Sequence, residues 1–336
     1  MKNNLLNSLV CPSCNSSKFE NDNISFHCLG CGYVNKIVGN IFRFVSDDYH
    51  SNFGYQWNKF SKVQLDSFNG SNLSESRLLI QSGLKPSDFK GKNILEVGAG
   101  NGRFTEILLR YGANVVAVDY STAINANYEN NHLNNDKAIF IQADLFNLPI
   151  KTNNFDIVFC YGVIQHTGDN EKALLELCKY PKKDGKLLVD IYSNGIRHFN
   201  PWVYLIRPFF SLIKTSDEKR LAIVSNFVSW AFPLQVWILK RLYNRKGFLK
   251  FLKYIVNRSP NSVYGINLYL EGKITLKLAQ DWSVMDTFDG WAPKHDQPVS
   301  KKRWLKMINH IATKKNFSIA SISQSGQGHV ASLVKN

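Results

Sequence analysis

Acid is what this chain runs short of, and only in its second part. Residues 191–336 carry 7 Asp and Glu against 22 Lys and Arg, while residues 1–190 carry 19 of each, so the entire net charge of +15 sits in the C-terminal part. An anionic partner is therefore to be sought there. A secretory leader is also lacking: the opening "MKNNLLNSLVCPSC" has too short an apolar run and meets cysteine at once, which predicts a cytoplasmic protein. Cysteine is scarce outside two pairs, and Cys160 and Cys178 stand alone in apolar surroundings, where buried reduced thiols are expected. The glycine-rich turn at residues 98–102 is not closed by Gly-Lys-Ser/Thr, which excludes a P-loop. Arg103 stands where G-x-G-x-x-G would put its third glycine, which excludes the dinucleotide fingerprint. A turn without those phosphate-cradling features suits a nucleoside that carries no phosphate.

What is present fits a globular protein of one large domain with accessory parts, or of two domains: 336 residues, 44% of them apolar and 20% charged. Cys11-Pro-Ser-Cys14 and Cys28-Leu-Gly-Cys31, thirteen residues apart, have the spacing of a zinc site. Four thiolates close a tetrahedron and leave no position for water, so a zinc ion there would be structural. Two disulfides or four free thiols are the alternative reading, and His27 reads as a strand residue. The pairs and the continuation "YVNKIVGNIFRFV" resemble the zinc ribbon of tRNA-methyltransferase activators over residues 8–45.

From Gly91 onward strands and helices alternate, which predicts a parallel α/β sheet with right-handed crossovers. The strand candidates are Ile94–Val97, Asn114–Val118, Ala138–Gln142, Phe155–Cys160 and Lys186–Ile191. Over residues 91–195 the stretches "ILEVGAGNGRFTEIL", "VVAVDYS", "IQADLFNLP" and "FDIVFCYGVIQHTGD", in that order, resemble the class I S-adenosylmethionine-dependent methyltransferases with a type 11/12-like domain. The resemblance implies a Rossmann-like, seven-stranded mixed sheet, parallel with one antiparallel C-terminal strand, to which this chain adds the ribbon and a helical insertion. "FSIASISQSG" and "GHVASLVKN" would supply the closing hairpin.

It also implies S-adenosyl-L-methionine as cofactor. Glu96 and the turn residues Gly98, Ala99, Gly100 and Gly102 would hold its amino-acid part. Asp119, followed by Tyr120, would take the ribose hydroxyls, since a carboxylate offers two acceptor oxygens to two vicinal donors. Asp144 and the backbone of Leu145 would meet the adenine, with Tyr161, Gly162, Gln165 and His166 beside the methyl group.

The basic excess is densest over residues 194–260, with 12 Lys and Arg against 2 acids, interleaved with "PWVYLIRPFF", "FVSWAFPLQVWILKRLY" and "FLKFLKYIV". Leu221 to Leu239 is an uncharged run of 19, but Ser225, Asn226, Ser229, Pro233 and Gln235 make it a poor membrane span. From Val236 to Arg258 the face Ile238, Leu242, Phe248, Phe251, Leu252 and Ile255 opposes Lys and Arg, the pattern of an interfacial helix. Three readings stand: a helical lid with solvated lysines, a peripheral contact with anionic membrane or a lipid-linked substrate, and nucleic acid. Nucleic acid is the weaker fit, because the aromatics lie in apolar helical runs rather than on stacking platforms.

The later stretch "DWSVMDTFDGWAPKHDQPVSKKRW" resembles a segment of bacterial methyltransferases that join a ribbon to an "FGYQW"-like lead. Those relatives read D-x-x-x-P-x-Y-D, whereas this chain has Asp289, Pro293, His295 and Asp296, with histidine in place of the tyrosine. The segment is expected to line the acceptor pocket, with Trp282 and Trp291 there or in the core.

The expected domains are a zinc ribbon over 1–45, an aromatic lead and helix covering the cofactor over 46–90, and a methyltransferase core over 91–195. A basic helical insertion forming an acceptor lid follows over 196–299, and a C-terminal helix and hairpin complete the core over 300–336. Methyl transfer to a hydroxyl requires alignment and removal of a proton. His166 is the foremost candidate base, its other reading being a residue that only shapes the pocket, and His295 and Asp286 follow it. The Asn/Asp-Pro-Pro-Tyr loop of adenine and glutamine N-methyltransferases is replaced by "YGVIQH". Cys160 and Cys178 lack the Pro-Cys context of 5-methylcytosine enzymes. The expectation is O-methylation of a small-molecule, sugar or lipid-linked acceptor, in the cytoplasm or peripherally on the inner face of the membrane. An RNA methyltransferase and a non-catalytic cofactor-binding partner subunit are the alternatives, and the sequence leaves the oligomeric state open.

Overall fold

The computed structural model describes residues 5–22, 24–45, 52–134, 136–195, 200–243, 248–293, 295–326 and 328–336. Four short strands, β1 (Phe19–Asn21), β2 (Ser25–Cys28), β3 (Val34–Val38) and β4 (Ile41–Arg43), form an antiparallel meander. Helices α1 (Asn52–Lys59), α2 (Asp66–Asn69) and α3 (Leu73–Ser82) then lead to β5 (Asn93–Val97), which opens the alternating region. There α4 (Arg103–Arg110), β6 (Asn114–Asp119), α5 (Ala123–Asn131), β7 (Ala138–Gln142), β8 (Phe155–Cys160), α6 (Asn170–Leu177) and β9 (Pro181–Tyr192) follow one another. Strands β6 to β8 are mostly apolar, as strands covered by helices on both faces must be.

Among the described residues the sheet has eleven strands, where seven were expected. Its order is β1-β2-β3-β4-β7-β6-β5-β8-β9-β11-β10, in which β10 (Phe317–Ser325) and β11 (Gly328–Lys335) form the closing hairpin and β11 runs antiparallel to β9. The seven strands from β7 to β10 are the expected set. The other four come from the cysteine-bearing segment, because β4 pairs in parallel with β7, Ile41 opposite Phe140. The physical reason is shared burial. Phe26, Ile37 and Phe42 of the meander pack into the same core as Leu95, Val116 and Ile139 of the parallel strands.

Between β9 and α12 (Lys301–Lys315) the chain builds a second, helical layer from α7 (Pro201–Ser211), α8 (Asp217–Leu242), α9 (Phe248–Val256), α10 (Tyr264–Leu270) and α11 (Leu276–Trp291). Local sequence sets their starts: Asn200 caps α7 with Pro201 in its first turn, and Ser216, Thr275 and Ser300 cap α8, α11 and α12 through their hydroxyls. Leu221, Val224, Val228, Phe232 and Leu239 recur at helical spacing along α8 and pack with Phe210, Trp282, Met285 and Phe288 in a core of their own. The helical face expected to run from Val236 to Arg258 is broken. Helix α8 ends at Leu242, which is buried, and α9 starts at Phe248, while residues 244–247 lie outside the described residues. Of the residues on that face, Phe251 and Ile255 are exposed.

Candidate active site

Strand β5 delivers the chain into the glycine turn, and two of the glycines there have no substitute. Gly98 has φ +77°, and a Cβ on it would stand 2.1 Å from a methyl of Val163; Gly102 has φ +87°, and a Cβ on it would stand 2.3 Å from Asn127 Oδ1. Beneath the turn Thr105 Oγ1 donates to Glu96 Oε2 at 2.6 Å and accepts from Asn127 Nδ2 at 2.9 Å. Glu96 is 1% exposed, and burial pushes its carboxyl up to about 8 against the opposing pull of the Thr105 bond. Neither Glu96 nor Gly102 lines the cavity above the turn. Glu96 and Gly102, both expected among the cofactor-binding residues, lie beneath the cavity lining, and Glu96 is bonded there to Thr105.

The cavity, about 1780 Å³, lies between the carboxyl ends of the parallel strands and the helical layer. Gly98, Ala99, Gly100, Asp119, Tyr120, Asp144, Leu145, Tyr161, His166, Asp286 and His295 all border it, so the structure brings together most of the residues singled out from the sequence. Asp119, at the end of β6, is held from both sides: Gly100 N donates to Oδ2 at 2.8 Å, and Ser121 donates to Oδ1 through N at 2.8 Å and Oγ at 2.7 Å. Burial raises its pKa and these donors oppose the rise. Asp144 caps the short turn Leu145–Asn147 by accepting from Phe146 N at 2.9 Å. Tyr161, ending the β8 segment, keeps a buried hydroxyl that no described group bonds, and burial followed by the charge of Asp190 pushes its phenol far up.

Opposite this rim, α11 places Trp282, Met285, Asp286 and Asp289 at helical spacing on the face toward the cavity. Ser262 Oγ donates to Asp286 Oδ2 at 3.3 Å, and burial together with the neighbouring Asp289 pushes the Asp286 carboxyl up to about 7. Asp289 is likewise raised by burial, with His166 pulling it back. His166 Nδ1 lies 2.9 Å from the carbonyl oxygen of His295, a contact that puts the ring proton on Nδ1 and leaves Nε2 as the acceptor. His295 thus enters the site through its backbone, while its ring borders the cavity.

Sequence reasoning missed a set of charged groups in the same cavity. Arg77 Nη2 meets Asp190 Oδ2 at 2.7 Å, and Gly162 N donates to Asp190 Oδ1 at 2.6 Å. Arg103 Nη1 donates to Gln64 Oε1 at 2.5 Å and lies over the Phe104 ring, its guanidinium pushed down to about 10 by burial and by nearby Arg77. Arg207 pairs with Asp296 at 2.8 Å and donates to the Gly290 carbonyl, tying α7 to the end of α11. Asp190 had one signal, an acid close to the carboxyl end of its strand, two residues before β9 ends at Tyr192. Arg77 and Arg207 had none, whereas Asp289 and Asp296 belong to the segment expected to line the acceptor pocket, and both border the cavity.

At the far edge of the sheet, the sulfurs of Cys11, Cys14, Cys28 and Cys31 all lie within 4.8 Å of one another, with Cys11 to Cys31 at 3.7 Å and Cys14 to Cys28 at 3.5 Å. A tetrahedron with Zn–S bonds of about 2.3 Å has edges of about 3.8 Å, so the donor set fits zinc. Gly30 N donates to Cys28 Sγ at 3.3 Å; although burial opposes it, this bond with that of Cys31 helps bring the Cys28 thiol down to about 7. His27 sits in β2 and bonds Ser25 Oγ, outside the cluster.

Residues 95–189 match the methyltransferase domain family. A ubiquinone biosynthesis O-methyltransferase of Coxiella burnetii is 29% identical over 148 residues, which cover 42% of this chain and 62% of that one. Phosphoethanolamine N-methyltransferase 1 of Triticum aestivum is 29% identical over 216 residues, 56% of this chain and 43% of that one. The chain thus spans less than two thirds of the length of these relatives. Among solved structures, the magnesium protoporphyrin IX methyltransferase of Synechocystis PCC 6803 superposes loosely, with a TM-score of 0.40 and 12% identity over 87% of this chain and 90% of that one. At residues 95–189, around the glycine turn and the ends of β5 to β8, this chain carries a methyltransferase domain.

Proposed function

We propose that the protein transfers a methyl group from S-adenosylmethionine to a hydroxyl of a small-molecule, sugar or lipid-linked acceptor in the cytoplasm. The observation that carries this reading is one cavity in which Asp119 and Asp144 border one side and His166, Asp286 and Asp289 the other. When bound, the cofactor supplies a methyl group on a positively charged sulfonium. Asp119, oriented by Gly100 and Ser121, accepts from the ribose hydroxyls, and Asp144 accepts from the adenine amino group. Gly100 has open space on its free side, so a ligand can approach the backbone there.

At the acceptor end, His166 takes the hydroxyl proton on Nε2. The His295 carbonyl fixes the ring for that role, and Asp289 stabilises the imidazolium that forms. Asp286, titrating near 7, orients the acceptor hydroxyl as a hydrogen-bond partner. Cys11, Cys14, Cys28 and Cys31 hold one structural zinc ion that stiffens the sheet edge.

The test uses S-adenosylmethionine with a tritiated methyl group and an extract of the source cells. Wild-type protein labels an acceptor; His166→Ala labels it at least about 100-fold more slowly while binding the cofactor equally well. Unchanged labelling by the variant would remove His166 as the base, and no labelling by wild type would sink the reaction.

A further inference from the structure

Helix α8 is apolar on two opposite sides. One side carries the core stripe of Leu221, Val224, Val228, Phe232 and Leu239. The other carries Ile223, Trp230, Leu234 and Trp237, all exposed, with Trp230 78% open to solvent. Those positions fall seven, four and three residues apart, so they form one face, and Lys219 and Arg241 continue that face at either end. From Lys219 to Arg241 the stripe is about 33 Å long. Helix α7 repeats the pattern: Trp202, Leu205, Phe209 and Leu212 are three or four residues apart and exposed, Phe209 and Leu212 at 72% each. Nothing in a solvated lid requires either face.

We infer that the outer faces of α7 and α8 seat on an anionic lipid bilayer, with the helices lying along the interface. Charge complementarity selects this occupant. Of the 12 Lys and Arg of residues 194–260, Arg207, Arg220 and Arg258 border the cavity, but Lys219 and Arg241 lie on the exposed stripe of α8 and Lys214 and Lys240 are exposed near its ends, while of the 2 acids Asp217 is turned to Arg220. The Arg241 guanidinium lies 3.8 Å over the Trp237 ring, joining cation and amphipathic aromatic at the end of the stripe as a headgroup boundary requires. A second copy of this chain would set the same cations against themselves. RNA would find aliphatic Ile223, Leu234, Leu205 and Leu212 where it needs stacking planes. Helix α8 is long and apolar enough to cross a membrane by length and composition, but its core stripe holds it against α11, so it lies on the bilayer.

The same α7 that exposes Phe209 and Leu212 lines the cavity with Val203, Arg207 and Ser211. The cavity wall and the membrane face are therefore two sides of one helix, and an acceptor held in the bilayer reaches the site past α7. This corollary rests on the methyl-transfer reading; the docking surface does not.

The experiment is sedimentation of the full chain with phosphatidylcholine vesicles made with and without phosphatidylglycerol. Wild type partitions to the anionic vesicles. Trp230→Ser with Leu234→Ser lowers the partition about tenfold or more, and Lys240→Gln with Arg241→Gln lowers it about fivefold per cation, on anionic vesicles alone. Vesicles with brominated acyl chains quench tryptophan fluorescence, and Trp230→Phe removes part of that quenching without a polar substitution. Cofactor binding, read by calorimetry without vesicles, is unchanged in every variant, so the two readings fail separately. Absence of wild-type binding to anionic vesicles overturns the inference. So does a surface variant that dissociates a dimer while leaving vesicle binding intact.

Discussion

The sheet region and the helical insertion dispose of their apolar residues in opposite ways. Up to residue 190 the chain is electrically neutral, and its parallel strands are sealed inside, with Ile94, Leu95, Val115 and Val158 fully buried, while the apolar side chains it exposes, such as Ile24, Ile80 and Leu133, lie on separate elements. The insertion also has a sealed core, yet it leaves Phe209, Leu212 and Trp230 in the open among cations. The difference teaches where generality ends. The neutral part holds the residues that match a methyltransferase domain, and the basic part supplies the helical wall of the cavity together with the exposed apolar faces of α7 and α8.

The comparison can be broken most severely at the sheet edge. If zinc links the cysteine pairs, Cys11→Ser with Cys28→Ser loses the metal and a stabilisation that reaches about 10 kcal/mol in small zinc domains. Because Phe26 and Phe42 belong to the main core, the loss would spread into the sheet region. Metal analysis and thermal unfolding check it; a metal-free variant that melts like wild type refutes the link.

A smaller break lies at Arg77. Its removal leaves Asp190, 1% exposed, as a buried charge without its partner, and should cost about 3–5 kcal/mol in urea unfolding. A cost near zero would mean that water or protonation takes over the charge.

The pH dependence sharpens the picture of the turn. Glu96 titrates near 8 when folded and near 4.3 when unfolded, so its neutral form stabilises the fold fully below about pH 4, and that contribution is lost as pH rises through 8. Glu96→Gln keeps the shape without the charge and should remove the decline between about pH 4 and pH 8. Parallel stability curves across that window would contradict the buried, neutral carboxyl.

The smallest effect belongs to the insertion's outer face. Trp230→Ser should change unfolding stability by less than about 0.5 kcal/mol, since the side chain is open to solvent. A core-sized loss there would show that the face is covered within the protein and not by a partner.

Much of the sheet was legible because its signals are local. The strand expected at Ile94–Val97 is β5, and those at Ala138–Gln142 and Phe155–Cys160 are β7 and β8. The strand expected at Lys186–Ile191 extends back to Pro181, where "PKKDG" gives no apolar pattern; pairing of Pro181 with Phe155 makes it a strand. The joining of β4 to β7 was not legible at all, because three residues carry no periodicity and the partner lies nearly a hundred residues away. The same distance hid part of the site. Arg77 and Asp190 meet across 113 residues, and His166 receives its orienting carbonyl from His295 across 129. Asp119 and Asp144 were legible as cavity residues because Asp119 ends β6 and Asp144 follows the end of β7 by two residues.

The central claim is that the cavity above that turn holds S-adenosylmethionine, and titration calorimetry of the full chain tests it most directly. Wild type should bind one equivalent, and Asp119→Ala, which removes a charged acceptor of the ribose hydroxyls, should bind about 10- to 100-fold more weakly with an unchanged fold. No binding by wild type, or equal affinity in the variant, would contradict the account.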